Sequence, residues 1–102
     1  MSIYFEIQAN SAEEFEALQS EGAPYFNMSN TNGWRFQQVV LDVEPDYSGT
    51  LDPQDIIDRE AELISNAERE DGFFDTYWKD RTIALLEVAR AARALDRQIV
   101  FC

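Results

Sequence analysis

A chain of 102 residues, 45% of them hydrophobic and 13% aromatic, can bury one core and has little room for a second, so a single domain over 1–102 is expected. Twenty acids against eight bases give a formal charge of −12, a field that repels nucleic-acid phosphate and anionic lipid and attracts basic protein surfaces. Histidine is absent, which removes the usual general base near neutral pH, the Ser-His and Cys-His nucleophile pairs and the commonest transition-metal ligand.

Ser2–Gln8 is β-branched and aromatic, with Ile3, Phe5 and Ile7 on one face, the pattern of a strand. It carries neither a basic leader nor a long apolar run, so no export signal or membrane span is expected. Asn10 or Ser11 caps a helix from Ala12 to about Gln19, in which Phe15 and Leu18 form the apolar stripe. Glu13, Glu14 and Glu16 complement its amino end. Gly22-Ala23-Pro24 stops it.

Tyr25–Met28 reads as a short strand, followed by an amide-rich turn through Asn27, Ser29, Asn30, Thr31 and Asn32 up to Trp34. Thr31 or Asn32 caps the next helix, where Phe36, Val39, Val40 and Val43 recur at i, i+3, i+4 and i+7. Two uses of the turn follow from its chemistry. Asn27, Asn30 and Asn32 beside Trp34 can line a polar pocket for a ligand or peptide. The same side chains also serve, more commonly, as ordinary turn and cap groups.

Glu44–Asp55 comes next. Gly49 allows a bend, Asp52-Pro53 is a strong helix start, and Leu51 before the cap can pin the entry against Ile56. The segment also resembles a calcium loop of the EF-hand type, with Glu44, Asp46, Ser48, the Thr50 carbonyl, Asp52 and Asp55 at the ligand positions and Gly49 at the sixth. The longer acid stands first and the shorter last, the reverse of that family's pattern. A Gly turn with an Asp-Pro cap explains the same residues without a metal, and no cofactor is expected.

From Pro53 a helix is expected to about Glu70, with Ile56, Ile57, Ala61, Ile64 and Ala67 facing in and an acidic outer face carrying Asp55, Asp58, Glu62 and Glu68. Residues 42–75 hold twelve acids and two arginines, a net of −10, so most of the charge sits here. Asp71-Gly72 ends this helix. Phe73-Phe74 opens the last one, on which Phe74, Tyr77, Trp78, Leu85, Val88, Ala89, Ala92 and Leu95 keep helical spacing to about Asp96. Arg90, Arg93 and Arg97 fall on its polar side. Gln98–Cys102 is a closing strand, and the lone Cys102 leaves no internal disulfide and favours a reducing, cytoplasmic setting.

Together these elements predict an α+β fold: a small two- to three-stranded sheet formed by the terminal strands, packed by about four helices. The string Asn27-x-Ser29-Asn30-x-Asn32 leading into an apolar helix, then the Gly turn, Pro-x-Asp start and closing strand, resembles a set of small bacterial proteins. That resemblance implies a similar fold, and it lends no activity and no catalytic residue. With four glycines and no P-loop or dinucleotide fingerprint, an enzyme ranks last. The leading expectation is an interaction domain, an inhibitor, immunity or regulatory protein, presenting Asp55, Asp58, Glu62 and Tyr47 to a basic partner, with Trp78 as a second aromatic anchor. The alternative is a small-ligand or calcium module built on the Asn turn or on 44–55.

Overall fold

Alternation decides the sheet. The computed structural model describes residues 1–102. In β1 (Ser2–Ile7) the side chains of Ile3, Phe5 and Ile7 are buried while Ser2, Tyr4 and Glu6 turn to the other face. On one side β1 pairs antiparallel with β2 (Tyr25–Ser29), and on the other with β4 (Ile99–Phe101), which in turn pairs with β3 (Gly49–Leu51). The order is β2-β1-β4-β3, so the first and last strands form the middle of one antiparallel sheet. In register across it, Phe5 faces Phe26 and Phe101, stacking on them at 4.9 and 5.5 Å between ring centroids.

Five helices complete the chain: α1 (Ala12–Ser20), α2 (Asn30–Val39), α3 (Pro53–Asp58), α4 (Glu60–Asp71) and α5 (Tyr77–Ala94). α5 lies on the inner face against β1, β2 and β4, burying Leu85, Leu86, Val88, Ala89 and Ala92, and α3 and α4 pack against it in turn. α2 approaches so closely that a Cβ on Gly33 would stand 2.8 Å from Ile3 Cδ1. Any side chain there would force Ile3 to shift. The sheet's outer face stays open, with Tyr4, Tyr25 and Asn27 exposed. No helix is long and apolar enough to cross a membrane.

The class is as expected, and several details differ. The sheet has four strands and the helices number five; β3 escaped notice because Gly49-Thr50-Leu51 is only three residues long and reads as a turn. Gly49 is needed there for packing, since a Cβ would meet the Phe101 ring at 2.9 Å. The helix expected from Pro53 to Glu70 is broken at Arg59, where φ −97° and ψ 14° interrupt it without any Gly or Pro. The buried stripe is Ile56, Leu63 and Ala67, spaced i, i+7 and i+11, while Ala61 is exposed and Ile57 and Ile64 are half-buried.

At the other helix ends, Ser29 rather than Thr31 or Asn32 caps α2, its Oγ accepting from Asn32 N, so the amide-rich stretch is the first helical turn. The helix stops at Val39, and Val43 lies outside it and exposed, beyond Asp42 at φ 54°. α5 begins at Tyr77, which leaves Phe73 and Phe74 outside it. It closes in a Schellman turn: Arg97 N donates to Ala92 O and Asp96 N to Arg93 O, with Asp96 in the left-handed region at φ 55°.

Leu18 is the one buried residue of α1, so a polar tether matters more for this helix than for the others. Glu14 accepts from Asn10 N at 3.2 Å and takes the Arg97 fork on both oxygens at 2.8 Å, tying α1 to the end of α5. The Arg97 hydrogen bonds, against some desolvation and with help from the Asn10 amide and the Arg97 charge, draw the Glu14 carboxyl from an ordinary 4.5 down to about 2.

Two outcomes are expected. Leu63→Ala, emptying a fully buried site, lowers stability by about 2–5 kcal/mol in chemical denaturation, and Ile64→Ala lowers it by less. Because the Glu14 carboxyl is depressed in the folded state, its contribution is present above the unfolded value of 4.5 and disappears as pH falls toward about 2. The stability gap between the wild type and Glu14→Gln should therefore be constant above that window and close within it, measured by thermal melts against pH.

Candidate functional site

Residues 42–48 contain no buried side chain, yet the segment is held in one place, and Gln37 is what holds it. The Gln37 side chain is 1% exposed. Its Nε2 donates to Asp46 O at 2.8 Å and to Gly33 O at 3.1 Å, and its Oε1 accepts from Asp46 N at 2.9 Å. Both backbone groups of Asp46 are thereby paired as a neighbouring strand would pair them. A buried carboxamide satisfied in this way is tolerated, whereas an unpaired one would be costly. Its place in the sequence carried a signal: Gly33, Phe36, Gln37 and Val40 fall at i, i+3, i+4 and i+7, so the helical stripe itself marks Gln37 as an inward polar residue.

This clamp sets Tyr47, 59% exposed, against Trp34 with ring centroids 4.9 Å apart and a tilt of 44°. Asn30, Thr31, Trp34 and Tyr47 line an open cleft of about 240 Å³. Two expectations that stood apart, Tyr47 as a partner contact and Asn30 with Trp34 as a ligand pocket, thus meet in one place. Asn27 does not join them, because strand alternation puts it on the open face of the sheet. Nor does Asn32, whose Nδ2 donates to the Tyr77 hydroxyl at 3.0 Å. Trp78 is half-buried and stacked on Phe36 at 6.4 Å, which makes it part of the core's edge.

The α4–α5 connection carries a second feature. Gly72, at φ 73°, turns the chain out of α4. Asp71 then reaches across the loop, its two oxygens accepting from Trp78 N and Lys79 N at 2.7 and 2.9 Å, while Asp75 Oδ1 accepts from Thr76 N and Tyr77 N at 2.7 and 2.9 Å. The free amides at the amino end of α5 are met by carboxylates, the pairing its dipole favours. Between these two fixed points stand Phe73, 94% exposed, and Phe74, 99% exposed, with ring centroids 5.7 Å apart. Asp75 was the cap signal that places the helix start after them. Asn32 on Tyr77 and the Arg35–Glu70 ion pair join this loop to α2.

The acidic face is less free than its composition suggests. Arg59 makes an ion pair with Glu62, lies 3.6 Å from Asp55 and donates to Leu41 O at 2.8 Å, and the Glu62 hydrogen bond raises its pKa above the usual guanidinium value. Asn66 Nδ2 donates to Val40 O at 2.9 Å. Two polar side chains of the 53–71 region therefore close the carboxyl end of α2. Asp58 accepts from Gln54 at 2.7 Å, and it sits on α3 while Glu62 sits on α4, so the two do not share one helix face.

Glu44–Asp55 does not wrap around a point. Gly49–Leu51 is extended in the sheet, Asp52 Oδ1 accepts from Gln54 N as a helix cap, and Asp46 Oδ1 accepts from Tyr47 N. No group of three Asp, Glu or Cys side chains is placed to hold a metal ion. No family model, curated protein or solved structure matches the chain.

Gln37→Leu keeps the volume and removes the clamp, taking the partner from Asp46 N–H and from Asp46 O, while Gly33 O keeps its helical bond. It should cost about 1–3 kcal/mol and speed hydrogen exchange at the Asp46 amide. The core strands should keep their protection order in the same exchange measurement.

Proposed function

We propose that this chain is a protein-interaction domain that engages a basic partner, in the manner of a small cytoplasmic inhibitor, immunity or regulatory protein, and that it performs no chemistry of its own. The observation that carries this reading is the Phe73-Phe74 pair, presented 94% and 99% exposed from a loop held at both ends. Keeping two benzyl groups in water forfeits about 1.5–3 kcal/mol apiece that burial would return, and a pocket on a partner returns it. Asp71 and Asp75 fix the chain on either side of the pair, which limits the backbone freedom that docking removes.

Charge supports the nature of the partner. Beside the pair in the chain, Glu68 and Glu70 are matched by Lys79 and Arg35, and Asp71 and Asp75 by amides of α5, so the charge a partner meets is the wider field of a chain at −12. An apolar pocket rimmed by Lys or Arg complements such a surface, with the field accelerating and selecting the encounter and the rings supplying the anchor. The same field works against nucleic acid and anionic membrane. Asp55, Asp58 and Glu62 then act at a distance as part of that field, two of them already sharing Arg59.

With the partner identified by cross-linking and purified, Phe73→Ser/Phe74→Ser should weaken binding at least about 100-fold by calorimetry while leaving the melting temperature near the wild-type value. Raising salt should slow association of the wild type more than it speeds dissociation. Unchanged affinity in the double variant would exclude the pair as the anchor.

A further inference from the structure

We propose that the cleft at Trp34 and Tyr47 is a receptor for an arginine side chain, which on the reading above belongs to the basic partner. The two rings touch, with centroids 4.9 Å apart and a tilt of 44°, so nothing enters between them, and a planar guanidinium would stack on the open face of one ring. Asn30 and Thr31 complete the lining with a carboxamide and a hydroxyl oxygen, both acceptors for the N–H groups that a guanidinium directs around its edge. The chain's nearby cations are placed elsewhere. Arg81 lies over the Tyr77 ring at 4.9 Å, and Arg35, next to Trp34, is paired with Glu70.

The field selects among ligands that aromatic rings accept. The loop that carries Tyr47 holds Asp42, Glu44 and Asp46 and no base. Asp42 follows the carboxyl end of α2, so the acids closest in the chain to Tyr47 are Glu44 and Asp46, and against them the amino end of α2 sets about half a positive charge, which falls off within its first turn. A cation is favoured, a neutral ring gains nothing from the field, and an anion is repelled. The buried Gln37 clamp gives the site its preorganisation: Tyr47 is fixed against Trp34 before any ligand arrives, by hydrogen bonds to the residue just before it.

The test uses N-acetyl-L-arginine amide and its neutral isostere N-acetyl-L-citrulline amide, titrated into the full chain at constant ionic strength. The response is read from NMR shifts of Trp34 and Tyr47. The arginine probe should shift both residues saturably and the citrulline probe should not, and Tyr47→Leu, at an exposed position, should abolish the response without unfolding the chain. Trp34→Leu should do the same, and with the purified partner either change should weaken binding by about 2- to 30-fold. Equal response to citrulline, no response to either probe, or a larger response to N-acetyl-L-glutamate amide each overturns the proposal. The Phe73→Ser/Phe74→Ser protein separates the two readings. It should bind the arginine probe as the wild type does, and if it also keeps full partner affinity, the cleft stands and only the Phe anchor falls.

Discussion

Phe5 sits where the first and last strands of the chain meet, fully buried, with Phe26 stacked on one side and Phe101 on the other, and Phe36 of α2 edge-on at 5.9 Å. The register that puts these rings together is also the register that joins β1 to β4, so one hydrophobic contact couples residues nearly a hundred positions apart. Closing so long a loop is entropically costly, and only a large apolar reward at the closure offsets it. Everything else is hung on this joint. β2 and β3 extend the sheet outward from it, and α5 covers its inner face.

α2 translates that core into surface. Its buried stripe of Gly33, Phe36 and Gln37 is apolar where it meets the sheet and polar at one position, and the polar position fixes the 42–48 segment. Its carboxyl end is closed by Arg59, at the break between α3 and α4, and by Asn66 of α4, and its first turn meets the start of α5 through Asn32 and Tyr77. The cleft at Trp34 and the loop bearing Phe73 and Phe74 are thus both referred to the same helix. Both are tethered in the same way, by side-chain hydrogen bonds to backbone groups where hydrophobic contacts are missing.

Much of the charge has structural employment. Arg35, Arg59, Lys79, Arg90 and Arg97 all pair with carboxylates, joining α2 to α4, α5 to α4 and α5 to α1. Most of these pairs are exposed, where each contributes at most about 1 kcal/mol, so their value lies in placing helices rather than in holding the fold. The acids left over set the field that any partner meets. Asp71 and Asp75 belong to neither group, since their charge is directed at the amides of α5.

What the amino-acid sequence determined by itself is whatever rests on local periodicity and local chemistry. The alternation in Ile3, Phe5 and Ile7, the Ser11 and Asp52 caps and the Gly22 and Gly72 stops were all legible, because each depends on residues within a turn or two, and the strand patterns at both ends of the chain carried the α+β class. Tertiary structure decided the rest. Gly49–Leu51 becomes a strand only because Phe101 packs over Gly49 and β4 offers a free edge, and three residues cannot announce a partner fifty positions away. The break at Arg59 places its guanidinium at the end of another helix, a contact that helical periodicity cannot contain, whereas the burial of Leu63 rather than Ala61 lay within its reach, seven residues after Ile56. Phe74 fitted the spacing of the last helix and yet lies outside it. Asp71 and Asp75 take the free amides at Tyr77 to Lys79, and that competition between a side-chain cap and a longer helix is settled only when the loop's two ends are fixed in space.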